Sequence, residues 1–162
     1  MRHRIASYSQ RSQRYCLEDG FEYYTPPEMA ANPELLKRWQ DFQEEVRDLY
    51  KSFLELGLAP ETARMALTNA TQTVFYMTMN ARELRHFFRL RLCERAQREI
   101  RELAWQMLFQ VRRVAPLLFG DIDYPCRMVG FCDQGKMSCG RMPTLDKVLR
   151  AYEQFTSEHE KS

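Results

Sequence analysis

From position 35 the chain carries Leu35, Trp39, Phe42, Val46, Leu49 and Phe53 at alternating spacings of four and three, with polar residues between. At roughly 100° per residue that spacing collects them on one face of an α-helix. Asn32, Pro33 and Glu34 precede the run as a cap, a first-turn proline and an acid at the positive helix end, and Gly57 follows as a stop. One long amphipathic helix is predicted here. Pro60 opens a shorter helix reaching about Leu67. Thr71 to Met79 is rich in Thr, Val, Phe and Tyr, which suits a strand. A second helical block runs from Ala81 to about Arg113, with a break near Cys93. Gly, Pro and three cysteines across residues 116–143 predict a long ordered loop. Leu145, Val148, Leu149, Tyr152 and Phe155 predict a last amphipathic helix. Residues 1–24 are polar and Arg-rich without a period, and Thr25-Pro26-Pro27 breaks any regular element. The chain has no internal repeat and no low-complexity segment.

Composition narrows the class. A length of 162 residues suits one domain with a real core. No apolar run approaches the roughly 18–20 residues that span a membrane, and no apolar stretch of a secretory signal follows Met1. Net charge is only +2, but 19 of the 24 basic residues are arginine. Arginine grips phosphates and carboxylates with a planar fork and stays charged when partly buried, so discrete anion sites are expected rather than a broad basic surface. Five cysteines, Cys16, Cys93, Cys126, Cys132 and Cys139, form an odd set that points to reduced thiols in the cytoplasm.

Two stretches carry candidate chemistry. The first is Arg2-His3-Arg4, then seven residues, then Ser12, continuing Gln13-Arg14-Tyr15. Three cationic or switchable groups in a row need an anion or solvent, and His3 between two arginines should lose its proton easily. By composition alone a frayed basic terminus is the simpler reading. The second is the run from Asn80 to Arg91. Asn80, Leu84, Phe87, Arg91 and Arg95 share one helical face, while Arg82, Arg85 and Arg89 share the opposite one, where acids such as Glu83 or Glu94 could pair with them. Arg91 lies on the apolar arc and needs a partner. The residues alone leave a structural ion pair or a snorkelling side chain level with an anion site.

The string Arg-His-Arg-Ile-Ala-Ser-Tyr-Ser-Gln-Arg-Ser-Gln-Arg-Tyr resembles the signature of the flavin-dependent thymidylate synthases throughout. The run Asn-Ala-Arg-Glu-Leu, His-Phe-Phe, Leu-Arg-Leu-Cys, then Ala96-Gln97 and Glu99-Ile100-Arg101, is similar to that family's second motif. Residues 63–70 resemble its arginine and Leu-Pro-Asn-Ala segment, with Thr68 where Pro is usual, and Cys126 to Arg141 resembles the C-terminal region of many members. The resemblance implies an α+β fold, mainly helical with a small mixed sheet. It also implies methylation of dUMP to dTMP, with methylenetetrahydrofolate as carbon donor, FAD as hydride donor, NADPH as reductant, and a homotetramer with active sites at subunit interfaces.

Carried over by position, Arg2, His3 and Arg4 are expected at FAD, with Arg2 also near dUMP and His3 and Arg4 near the flavin ring and folate. Gln10, Ser12, Gln13 and Arg14 are expected at the dUMP phosphate and sugar, and Arg64 at the nucleotide. Asn80, Arg82, His86 and Leu90 are expected at FAD, and Arg91 at the uracil ring. Ser12 and Arg91 are the expected catalytic residues, and Cys16 and Cys93 small apolar ones. Family members often carry His where Arg95 stands. In the family the first motif lies well inside the chain, whereas here it begins at residue 2. Residues 1–162 are therefore expected to be the C-terminal portion of one synthase domain, its preceding segment missing through truncation, fragmentation or a separately encoded half. The rival readings are a non-catalytic family remnant, an Arg-rich nucleic-acid-binding module, and a zinc module on Cys126, Cys132 and Cys139. Against the last two stand the near-neutral charge and cysteine spacings of five and six, unlike paired zinc ligands.

Overall fold

The computed structural model of the protein describes residues 6–18 and 20–159, with side chains described as far as residue 153. Arg2, His3 and Arg4 lie outside the described residues. The chain divides into two compact units, residues 7–77 and residues 78–162 with 1–6.

The first unit is organised on the helix α2, Pro33–Glu55, preceded by the single turn α1, Pro27–Ala30. Asn32 accepts the backbone N–H groups of Glu34 and Leu35 at 3.0 and 3.3 Å, satisfying two donors that a helix start leaves open. Gly57 ends the helix region at φ +83°, a conformation that a Cβ would strain. Pro27, expected to break regular structure, instead begins α1, since a proline's missing N–H is no loss in a first turn. One face of α2 buries Gln43, Val46 and Tyr50, and Phe21 and Ala63 are buried in the same unit. The Tyr50 hydroxyl accepts the Glu18 N–H at 3.0 Å. After α2, α3 spans Pro60–Ala63 and a 3₁₀ turn Arg64–Ala66 completes the predicted short helix. Thr68, standing where the family's proline is usual, accepts the Ala70 N–H at 3.3 Å and donates to the Gln43 side-chain oxygen at 3.4 Å, so a hydroxyl rather than a ring holds this turn.

Two strands, β1 (Ala6–Gln10) and β2 (Phe75–Met79), pair in an antiparallel two-stranded sheet. The fold is thus α+β and mainly helical with a small sheet, as expected, and among the described residues that sheet is a single antiparallel ladder of two strands. β1 falls in the stretch that showed no period, and β2 takes up only the second half of the predicted strand. Thr71 makes an isolated antiparallel bridge with Tyr23.

In the second unit the predicted helical block is α4, Ala81–Arg91, and α5, Arg98–Val114, with the break near Cys93 falling at 92–97. Asn80 caps α4 by accepting the Glu83 N–H at 2.9 Å. Phe87, Phe88 and Leu92 pack with Ala104, Leu108, Phe119 and Ile122 into one apolar core. The predicted loop 116–143 contains two short helices, α6 (Pro116–Phe119) and α7 (Pro125–Val129), and a 3₁₀ turn, Gly135–Met137. Each of the two helices opens on a proline, so residues read as breakers serve as starts. The last helix, α8, spans Leu145–His159. Among the described residues no helix is long and apolar enough to cross a membrane.

Candidate functional site

The C-terminal half of α4 borders a cavity of about 510 Å³ in the second unit. His86, Leu90 and Arg91 line it from α4, and Cys126, Cys132 and Cys139 line it from the opposite segment. Arg91 sits in the helix between buried neighbours: Phe87, Phe88 and Leu92 anchor that turn in the core. Among the described residues its buried Nε has no hydrogen-bond partner and Arg91 makes no structural ion pair. A buried guanidinium donor without an acceptor costs the fold its desolvation, and the Arg91 side chain also borders the cavity.

The opposite wall is held by a network with no local sequence signature. Glu94 accepts from Arg101 at 2.9 Å and from Arg141, 47 residues further on, at 2.7 Å. Arg101 also donates to the Glu94 carbonyl at 2.8 Å. The Arg141 guanidinium lies 3.8 Å from the Tyr124 ring centroid, and that ring meets Trp105 edge-on at 5.0 Å. Three cysteines dispersed in sequence converge on this cavity, and burial pushes the Cys126 thiol above its ordinary value, with Cys132 and Cys139 adding to the rise. All five cysteines are free thiols, and Cys16 and Cys93 are half-buried. Among the described residues no group of three His, Cys, Asp or Glu side chains is arranged to hold a metal ion.

The other predicted residues of α4 distribute as follows. Arg82, His86, Arg89 and Leu90 are exposed along one side of the helix. Neither Arg82 nor Arg89 has an ion pair among the described residues. Arg85, on the face where acids such as Glu83 or Glu94 could pair, binds Asp121 through both terminal nitrogens at 2.7 Å, because the turn after α6 brings that carboxylate under the helix. Arg95 lines the cavity and contacts the Met137 sulfur.

Gln10, Ser12, Gln13, Arg14 and Arg64 all lie in the first unit. The Ser12 side-chain oxygen accepts the Arg14 N–H at 3.3 Å, while its carbonyl accepts from Tyr15 and Cys16, which sets a tight turn after β1. Arg14 binds Glu61 through Nε and Nη2 at 3.1 and 2.7 Å, and Arg64 donates to the carbonyl of the same residue at 3.3 Å. Two predicted nucleotide-binding arginines thus meet at Glu61, a residue the sequence did not single out. The Arg14–Glu61 pair is solvent-exposed on both sides, and such pairs are worth little, so a phosphate could displace the carboxylate. Gln10 closes β1 and is exposed, and Gln13 is half-buried.

The protein is thus α+β, with Arg14 and Arg64 meeting at Glu61 in the first unit and Arg91, its Nε buried, bordering a cavity in the second. The family model described as thymidylate synthase complementing protein matches residues 1–117. The flavin-dependent thymidylate synthase of Geobacter sulfurreducens is 43% identical over 152 residues, covering 93% of this chain and 65% of that protein. That of Pyrococcus abyssi is 40% identical over 145 residues, covering 85% and 59%. That of Clostridium tetani is 40% identical over 164 residues, covering 91% and 66%. The chain belongs to the flavin-dependent thymidylate synthase family. It spans about three fifths to two thirds of the length of these curated relatives.

Proposed function

We propose that this chain takes part in the flavin-dependent conversion of dUMP to dTMP, as a portion of one synthase domain. The observation that carries the reading is Arg91: a half-buried arginine inside a family motif, bordering a cavity, with its Nε buried and unpartnered. A pyrimidine carbonyl satisfies that donor. As C5 gains a carbon, negative charge grows on the ring carbonyls, and a fixed guanidinium stabilises it as an oxyanion hole would. Ser12 retains its hydroxyl proton for the nucleotide, since its oxygen is the acceptor in the turn. Gln10, Gln13, Arg14 and Arg64 hold phosphate and sugar by charge-assisted hydrogen bonds.

FAD, when bound, supplies the hydride that completes the methyl group, NADPH being its reductant and methylenetetrahydrofolate the carbon source. Arg2, His3 and Arg4 would hold it together with Asn80, Arg82, His86 and Leu90. The exposed strip on α4 fits such a group, with unpaired guanidinium groups for phosphates beside the apolar Leu90. No cysteine is needed as nucleophile. Homotetramerisation follows the family resemblance, and the odd set of free thiols supports a cytoplasmic setting.

The test is a visible absorption spectrum of the purified chain with FAD, followed by NADPH and dUMP. Bound flavin and dUMP-dependent NADPH oxidation are expected. A colourless protein that takes up neither FAD nor dUMP overturns the reading and leaves a non-catalytic family member.

A further inference from the structure

Four of the five cysteines line the cavity that Arg91 borders: Cys93 just after α4, and Cys126, Cys132 and Cys139 across from it. The three across from α4 differ in what can reach them. Cys132 is buried, and its N–H donates to the Pro143 carbonyl at 2.7 Å, which fixes its backbone. Cys126 is half-buried on α7. Cys139 is exposed, on irregular backbone between the 3₁₀ turn Gly135–Met137 and α8, beside Gly140 at φ +81°. Arg141, paired with Glu94 at 2.7 Å, brings its guanidinium within electrostatic reach of Cys139. Cys126 is within the same reach of both Cys132 and Cys139, so it is the thiol that neighbours the other two.

We propose that Cys139 and Cys126 form a thiol–disulfide exchange site, which takes a small disulfide such as oxidised glutathione at Cys139 and closes reversibly to a Cys126–Cys139 disulfide. Exposure lets the external disulfide reach Cys139, and Arg141 stands by the negative charge carried on sulfur during exchange. In the first step the Cys139 sulfur bonds to one sulfur of oxidised glutathione, and the other leaves as a glutathione thiolate. In the second step the Cys126 thiol gives its proton to solvent, attacks the Cys139 sulfur and expels the second glutathione. The two protein thiols lose two electrons and two protons, and the external disulfide gains them as two thiols. Burial, with the neighbouring thiols, raises Cys126 above its ordinary value, which suits it to the second step, against a partner already held beside it. Cys132 stays reduced, because its sulfur is buried. The bond forms in the wall across from Arg91, so oxidation reshapes the cavity from the side opposite α4. The exchange needs neither flavin nor nucleotide and stands apart from the enzymatic reading.

The test is peptide mass mapping of the whole chain after incubation in glutathione buffers of increasing oxidised fraction, with free thiols then blocked by iodoacetamide. Loss of two of the five alkylatable thiols is expected, with a Cys126–Cys139 linked peptide that dithiothreitol abolishes. Cys126→Ser should instead accumulate glutathione on Cys139. Cys139→Ser should show neither glutathione nor an internal link at this site, with circular dichroism verifying that both variants fold. A wild-type Cys139 no more oxidised than the half-buried Cys16 in the same buffer overturns the site. Glutathione that stays on wild-type Cys139 without a link overturns the resolving step. A link from Cys139 to Cys132 or Cys93 overturns the assignment to Cys126.

Discussion

At position 91 the fold keeps a buried guanidinium nitrogen without an acceptor although apolar side chains surround that turn. An unmade hydrogen bond at a buried donor costs about 1–3 kcal/mol, so the residue should serve binding against stability. Arg91→Met is expected to leave unfolding free energy unchanged or raise it by about 1 kcal/mol in urea titrations. The same change should weaken dUMP binding by about 10- to 100-fold by calorimetry, the value of a charge-assisted hydrogen bond. A variant that loses stability without losing nucleotide affinity would make Arg91 a structural residue. Its presence on an apolar arc was legible in the sequence. Its lack of a partner was not, since pairing depends on which acids the fold brings near.

Between elements, contacts far apart in sequence do the holding. The Tyr50 hydroxyl on α2 accepts the buried Glu18 N–H across 32 positions. Tyr50→Phe preserves the ring and strands that donor, so a loss of about 1–3 kcal/mol is expected from urea midpoints. The Arg85–Asp121 pair ties α4 to the turn after α6. Hydrogen bonding from Arg85 holds the Asp121 carboxyl below the ordinary carboxylate range. A depressed folded value gives stability that is present above the unfolded carboxylate value, near about 4, and is lost as pH falls through the folded one. The stability gap between wild type and Asp121→Asn should therefore shrink as pH drops below about 4 in urea titrations. A gap that persists unchanged to the lowest pH would exclude the pair as its source. The partner of Arg85 could not be read from the sequence, because helix periodicity places neighbours on the same helix and is silent about the next turn of chain.

For the molecule as a whole, the chain's own pattern determined the long helix, its asparagine cap and glycine stop, the interruption after Arg91, and the two motifs that mark the family. Those features follow from local rules, a 3.6-residue period and the backbone limits of Asn, Pro and Gly, which act within a few residues. Tertiary structure decided the rest. It made a strand of Ala6–Gln10, a segment without alternation whose hydrogen bonds come from β2. It turned proline-rich loop into the short helices α6 and α7, gathered Cys126, Cys132 and Cys139 at one cavity, and joined Arg101 and Arg141 through Glu94. It also left Leu35, Phe42 and Leu49 of α2 exposed while turning Trp39, Val46 and Phe53 inward, a division that periodicity cannot make because all six are apolar and share one face. Local geometry is written in neighbouring side chains, whereas burial, pairing and exposure depend on which distant segments arrive.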